Sequence, residues 1–365
     1  MNNKRMIIDG HQDIAWNVMT FDRDYTRSVA ETRALEAGTR VPQVNGDTVI
    51  SWDEYQNGRV ALVFATIFAT PIRHRWGDWD IHSYSTAKEA NQIYLKQLDI
   101  YQLMVFENPQ KFRIIASQGE LNTHVQQWQA ADEAHPAPVG MVLLMENAEA
   151  VKTPDELKMW WDLGVRLIGP AWKSNRFCGG TGSPGPLTAE GYALLEKISE
   201  LGMVLDLSHM DEESVLQTFD FYHGAMIASH SNPAGVVEDS TSNRHLSDHV
   251  IRELVRRDAV IGMVPYNAFL TRGWTRELSR ELVPLERLVD HIDYICNLAG
   301  NARHVALGTD FDGCAGVQDI PDGIDTIADL QKLEDLLAKR GYSDVEIGDV
   351  FHENWLRILR KNLPE

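Results

Sequence analysis

Cysteine is scarce in this chain: Cys178, Cys296 and Cys314 are the only three in 365 residues. An odd and sparse set makes no disulfide framework, and the chain has no Asn-x-Ser/Thr sequon, so a reducing cytoplasm is the expected compartment. Long apolar runs are missing as well. The longest, residues 60–69, contains a threonine and reaches only half of the ~20 residues a membrane helix requires. At the N-terminus only Met6, Ile7 and Ile8 precede Asp9, against ~7–15 apolar residues in the core of a secretion leader. Neither a membrane span nor export through such a leader is expected. Positive charge is also in deficit. The 34 Lys and Arg stand against 53 Asp and Glu, a net charge of −19. That balance repels phosphate backbones and anionic lipid, so nucleic acid and membrane are not expected partners.

Core material, by contrast, is plentiful: 44% of residues are apolar and 24% charged, as in a soluble globular protein. At ~100–200 residues per domain the length would allow two or three domains, yet one α/β barrel commonly reaches ~250 residues or more. No linker, internal repeat or low-complexity stretch is visible. A single domain over residues 1–365 is therefore expected.

Short β-branched runs recur along the chain, each continuously apolar rather than alternating, which implies strands buried on both faces. Eight stand out, at residues 6–8, 61–66, 140–145, 165–168, 204–207, 225–228, 260–264 and 305–307. Helical periodicity follows most of them, at residues 86–106, 154–163, 189–201, 212–219, 248–257, 285–298 and 330–339. Strand and helix in eight-fold alternation predict a (β/α)8 TIM barrel. The competing open doubly wound sheet would place a glycine-rich turn after an early strand; here Asp9-Gly10-His11-Gln12-Asp13 follows instead. The connection over residues 14–58 is too long for a turn and is expected to cover one barrel mouth. Residues 343–363 read as a terminal helix, with Val350, Trp355, Ile358 and Leu359 against the barrel.

The chemistry lies in what ends the strands. His11 and Asp13 end the first, Glu146 the third, His209 the fifth, His230 the sixth and Asp310 the eighth. In a barrel all C-terminal strand ends meet at one mouth, where such folds keep their sites. Residues i and i+2 of an extended segment share a side, so His11 and Asp13 face one ion while Gln12 turns away. A single histidine after a strand is usually a hydrogen-bonded loop residue. Three of them beside three acids make a metal site. Imidazole and carboxylate without thiolate suit Zn²⁺, and Mn²⁺, Co²⁺ or Fe²⁺ obey the same ligand logic. The set exceeds one catalytic zinc, which usually takes three protein ligands and a water. Two ions sharing Glu146 fit better: His11, Asp13 and Glu146 for one, Glu146, His209 and His230 for the other. Such a pair holds a bridging hydroxide and polarises a carbonyl, which is hydrolytic chemistry. Asp310 is the acid left over, read as general base towards water and general acid towards the leaving amine; its alternatives are a further ligand or a partner of His11. Asp312 is expected near the same ions.

At these residues the chain resembles the membrane (renal) dipeptidase family of zinc metallopeptidases. The resemblance spans nearly the whole chain and rests on Asp9-Gly10-His11-Gln12-Asp13, Met145-Glu146, Asp206-Leu207-Ser208-His209, Ser229-His230-Ser231-Asn232, Asn243-Arg244 and Gly308-Thr309-Asp310-Phe311-Asp312-Gly313. It implies a barrel with two zinc ions bridged by Glu146, and hydrolysis of dipeptides, often with a D-residue at the C-terminal position. It also implies that Arg244 binds the substrate's terminal carboxylate, that Asp310 contacts the scissile region and the amine, and that the chain can dimerise, as is common in the family. Bidentate carboxylate recognition is apt for a guanidinium. The chain departs from the family where a substrate-contacting histidine usually follows the fourth strand: Trp172 stands there, with Lys173 and Asn175 as nearby substitutes for the lost contact. The animal members' secretion leader and lipid-anchor signals are not expected to carry over to this chain.

Tyr266, after the seventh strand, serves either the pocket or rim packing. Trp76, Trp79 and Tyr84 wall a substrate side chain or form an interface. The glycine-rich segment over residues 178–185 lacks the Gly-Lys-Ser/Thr of a phosphate loop and reads as a mobile rim. Cys314 lies beside the site, as a thiol that an already complete nitrogen and oxygen ligand set does not require. Two other functions compete with a dipeptidase. A different amidohydrolase-type reaction would more usually begin with His-x-His and use a carbamylated lysine. A catalytically silent metal-binding scaffold would have little reason to keep Asp310.

Overall fold

The computed structural model describes residues 4–132, 134–237, 242–313 and 315–365. Nine parallel strands form its sheet: β1 (Ile7–Gln12), β2 (Val60–Ile67), β3 (Phe112–Ile114), β4 (Val139–Glu146), β5 (Val165–Gly169), β6 (Val204–Asp206), β7 (Met226–Ile227), β8 (Ile261–Met263) and β9 (Val305–Leu307). Eight of them run in the order β7-β6-β5-β4-β2-β1-β9-β8, and β3 pairs only with the start of β4. The two ends meet. Ala228 N–H donates to Val260 O at 3.0 Å and Gly262 N–H to Ala228 O at 2.8 Å, joining β7 to β8. The expected (β/α)8 barrel is therefore the observed one, and all eight expected strands are in it. Every residue of β2 and β4 is buried, as strands covered on both faces require.

The expected helices are present within one to three residues at most ends. Among the elements not foreseen are β3 and the helix Gln118–Ala130, which places Leu121, His124, Val125 and Trp128 on its buried side. The first long connection folds into helices Ile14–Phe21, Val29–Glu36, Val41–Val44 and Trp52–Gly58. At the C-terminus Asp344–Gly348, a π-helical turn Asp349–Glu353 and Asn354–Asn362 run on from one another. Trp355 there is fully buried and donates from Nε1 to Leu307 O at 2.8 Å, tying this segment to β9. No helix among the described residues is long and apolar enough to cross a membrane.

Closure depends on one crowded point. A Cβ on Gly308 would lie 1.8 Å from the Ser229 carbonyl oxygen, one on Gly262 1.9 Å, and one on Gly10 2.7 Å. Three strands thus carry glycine where the backbone just beyond β7 turns in against them. Gly308→Ala should cost about 1–3 kcal/mol or more by overpacking, seen as a fall of several degrees in the thermal midpoint. Gly119→Ala, at a position where an added methyl meets nothing within 4 Å, should show no such fall.

Candidate metal centre and active site

Each of the six residues expected at the metal centre sits at or shortly after a strand's C-terminal end. His11 lies in β1 and Asp13 just past it; Glu146 is the last residue of β4; His209, His230 and Asp310 follow β6, β7 and β9. Several of these joints are strained. Asn147, His209, Asp310 and Asp312 all have positive φ, at 67°, 68°, 57° and 64°. Non-glycine residues enter that region at a cost of order 1–3 kcal/mol each, and such strain gathers at functional sites.

The side chains converge. His11 Nε2 stands 3.5 Å from Glu146 Oε2 and 3.9 Å from both Asp13 Oδ1 and Asp310 Oδ1. The other Glu146 oxygen, Oε1, is 3.1 Å from His209 Nε2 and 3.6 Å from His230 Nε2. Ligand atoms of His11, Glu146 and His230 lie within 4.8 Å of one another, as do those of His11, Asp13 and Asp310. The structure thus brings together all six residues expected here, although Asp310 stands closer to the ligands than a detached acid would.

Hydrogen bonds on the far side of each ring set the tautomers. The Ser229 hydroxyl donates to Asp206 Oδ2 at 2.5 Å, so its oxygen is left to accept from His230 Nδ1 at 2.7 Å and His11 Nδ1 at 3.3 Å. Thr181 Oγ1 stands 2.9 Å from His209 Nδ1 and reaches back to His209 O. With Nδ1 carrying the proton, each Nε2 presents a lone pair inward. His209 Nε2 and His230 Nε2 are then two lone pairs 2.9 Å apart, and His11 Nε2 is buried without a hydrogen-bond partner. A cation relieves all three conditions, so the donor set fits a divalent metal. The titration behaviour agrees. Although burial opposes its charged form, Glu146, Asp13 and Asp310 raise His11 to about 10, so without a metal a proton on Nε2 answers the same excess of carboxylate charge. Burial, then the charge of Glu146, pushes Asp13 up to about 6. Burial holds His209 down at about 4 and His230 well below its usual range, leaving both neutral.

The cluster opens into a cavity of about 580 Å³ whose lining includes Asp13, Glu146, His209, Arg244, Tyr266 and Asp310. Arg244 is buried rather than part of a surface pair. Its Nη1 donates to Ser231 Oγ at 3.0 Å and its Nη2 to His230 O at 2.6 Å, while Nε has no partner among the described residues. Five donors with two engaged leave a guanidinium able to take an anion. Tyr266 lines the cavity and meets Phe269 edge-on at 4.9 Å. Trp172 lines the opposite wall, with Trp76 and Trp79.

Three expectations need correction. Asp312 does not face the metal positions: Arg23, Tyr25, Thr48 Oγ1 and the Val49 N–H all bind its carboxylate, which anchors the first long connection instead. Tyr84 is buried away from the cavity and accepts from Asn147 Nδ2 at 2.8 Å. Asn175 cannot stand in for the family histidine, since its Nδ2 binds Asn147 and Pro170 O while its Oδ1 accepts from Phe177 and Cys178 N–H. Within residues 178–185, Gly179 and Gly180 serve close approach, because a Cβ on Gly179 would lie 2.3 Å from Gly185 N and one on Gly180 2.6 Å from the Lys173 backbone. Cys314 lies outside the described residues. The residues missed were Asp206, Ser229 and Thr181. Two of them stand inside quoted motifs, Ser229 immediately before a ligand, and that adjacency was the available signal.

A closed parallel barrel whose C-terminal mouth gathers imidazoles and carboxylates around a cavity defines a metal-dependent hydrolase. The sequence profile described as "Membrane dipeptidase (Peptidase family M19)" matches residues 1–363, and the chain belongs to that family of metallopeptidases. It is 36% identical over 214 residues to an "uncharacterized protein in pqqA 5'region" of Klebsiella pneumoniae, covering 56% of this chain and 75% of that protein. An uncharacterised dipeptidase of Schizosaccharomyces pombe is 26% identical over 282 residues, covering 74% of this chain and 63% of that protein. The fold is also that of a metallopeptidase from Rhodobacter sphaeroides, solved with a phosphinate mimic of the dipeptide L-Ala-D-Ala: TM-score 0.79, 21% identity, 99% of this chain and 100% of that one. Family membership implies a metal cofactor. Ser229→Ala, which frees the Nδ1 positions of His230 and His11, should weaken metal affinity about 10–100-fold, measured by competition with a chromogenic chelator.

Proposed function

We propose that the protein is a binuclear zinc dipeptidase that hydrolyses free dipeptides, including those with a C-terminal D-residue. The observation that carries this reading is the split of the Glu146 carboxylate, with Oε2 towards His11 and Oε1 towards His209 and His230. One zinc would be held by His11, Asp13 and Glu146, the other by Glu146, His209 and His230. The nitrogen and oxygen donors suit zinc. When bound, the ions supply a water acidified towards neutral pH and a Lewis acid for the scissile carbonyl. A cavity of about 580 Å³ is of a size for a dipeptide rather than a protein segment. One domain over residues 1–365 carries the whole site, and buried free thiols at Cys178 and Cys296 accord with a cytoplasmic setting.

The chain's own groups do the rest. Arg244, which lines the cavity, binds the terminal carboxylate. Tyr266 lies beside it as part of the substrate wall. Asp310 has the most exposed of the three carboxyls facing His11, with a side chain 19% accessible against 9% for Asp13 and 6% for Glu146. It can therefore meet both the attacking water and the leaving amine, taking a proton from the first and returning it to the second. Support for the D-residue comes from the L-Ala-D-Ala mimic in the Rhodobacter sphaeroides enzyme.

The decisive experiment is a panel of L-L and L-D dipeptides assayed with zinc, and turnover of neither series would overturn the reading. Asp310→Asn should keep two metal equivalents by elemental analysis and lose about 10²–10⁴-fold of kcat; wild-type turnover in that variant would remove its proton-transfer role. Arg244→Ala should raise KM about tenfold or more for free dipeptides and much less for their C-terminal amides. Equal effects on both would contradict carboxylate recognition.

A further inference from the structure

The cavity has two unlike halves. Around the barrel, β7 and β8 lead into the half with Arg244, Tyr266 and Phe269, while β2 and β5 lead into a half with four aromatic rings beside Lys173 and Thr181. Phe68 follows β2 directly, Trp76 and Trp79 lie further along the same connection, and Trp172 follows β5. The rings touch in sequence: Trp172 to Phe68 at 5.3 Å, Trp172 to Trp76 edge-on at 5.5 Å, and Trp76 stacked on Trp79 at 6.0 Å between centroids. Trp16, buried behind them, meets Trp76 and Trp79 edge-on at 5.7 and 6.2 Å. Rings held on several sides have little freedom left to lose on binding, so they make a preorganised apolar wall. Trp76 remains 43% accessible, a large apolar surface left uncovered.

Position gives this wall its role. Trp172 lies 6.2 Å from the His209 ring, so the wall begins beside the candidate metal centre. A dipeptide whose carboxylate rests on Arg244 and whose scissile carbonyl lies at the central cluster must send its N-terminal residue to the opposite half. We infer that Trp172, Phe68, Trp76 and Trp79 form the pocket for the N-terminal side chain, and that the preferred substrates are dipeptides with a large apolar or aromatic N-terminal residue. The inference rests on the dipeptidase reading above. Lys173 sharpens it. Its Nζ sits 5.5 Å over the Trp172 ring, and Lys173 lines the cavity. A lysine or arginine side chain entering this half would meet that ammonium charge.

The test is a series X–Ala, with X as Gly, Leu, Phe or Lys, assayed for kcat/KM on zinc-loaded enzyme. The expected order places Phe–Ala and Leu–Ala on the order of tenfold or more above Gly–Ala, with Lys–Ala well below Leu–Ala. Trp172→Ala and Trp76→Ala should each shrink the Phe/Gly ratio; Trp76, being half-exposed, can be removed with little risk to folding. Hydrolysis of the whole series at similar kcat/KM, preference for Lys–Ala, or an unaltered Phe/Gly ratio in both variants would overturn the assignment while leaving the dipeptidase reading intact. Hydrolysis of no member would instead overturn the dipeptidase reading, and this assignment with it.

Discussion

Ser229 is where the barrel and its chemistry depend on the same atoms. Its carbonyl occupies space that three neighbouring strands leave by carrying Gly10, Gly262 and Gly308. Its hydroxyl, fixed as a donor by Asp206, is an acceptor for the Nδ1 of both His11 and His230. Closing the barrel and aiming two imidazoles are thus one packing event. Steric exclusion decides it: no side chain tolerates an oxygen at 1.8 Å. The conformational cost of three glycines, roughly 0.5–1 kcal/mol each in a strand, is smaller than the overlap that any larger residue would create.

A second buried network fastens the first long connection to the site. Asp312 receives Arg23, Tyr25, Thr48 and the Val49 N–H, and its main-chain oxygen accepts from Asn17 and Asn45. Arg23 also binds Glu36. A buried carboxylate with so complete a set of partners is held in place, and it fixes the turn from which Asp310 projects. Asp9 plays the matching part between β1 and β9, accepting from Gln12 and from Thr309 N–H and Oγ1. By contrast, the acids and imidazoles that face the cavity keep inward atoms for a cation and a substrate, with Thr66 Oγ1 donating to Asp13 Oδ1. Saturated second partners and unsaturated first ones are what separate scaffold from site here.

Most of the fold was legible because burial on both faces leaves continuous apolar runs, and eight of these mark the eight barrel strands. The unforeseen β3 is only Phe112–Ile114 with a single fully buried residue, too little hydrophobic signal to stand out. The helix Gln118–Ala130 had a readable start in the capping box of Ser117 and Glu120, but its polar face masked the spacing of Leu121, Val125 and Trp128. Misplaced side chains share a cause. Tyr84, Asp312 and Asn175 lie within a few residues of cavity-lining positions, and neighbours in sequence point in different directions once the chain turns. Nothing in residue type says which of the two acids after β9, Asp310 or Asp312, faces the cavity and which faces Arg23.

By itself the sequence determined the class of chemistry and its address. Histidines and acids at strand ends must meet at one mouth if the strands form a barrel, because parallel strands end together. The run of matching motifs then determined the family. Tertiary structure alone decided the partition of that set: which nitrogen of each histidine faces inward, how Glu146 divides its oxygens, and that Arg244 is buried with donors to spare. It alone divided the cavity into a guanidinium half and an aromatic half. Those outcomes depend on hydrogen bonds and ring contacts between segments far apart in the chain, such as Ser229 with His11 or Trp16 with Trp76, and local pattern carries no record of such distances.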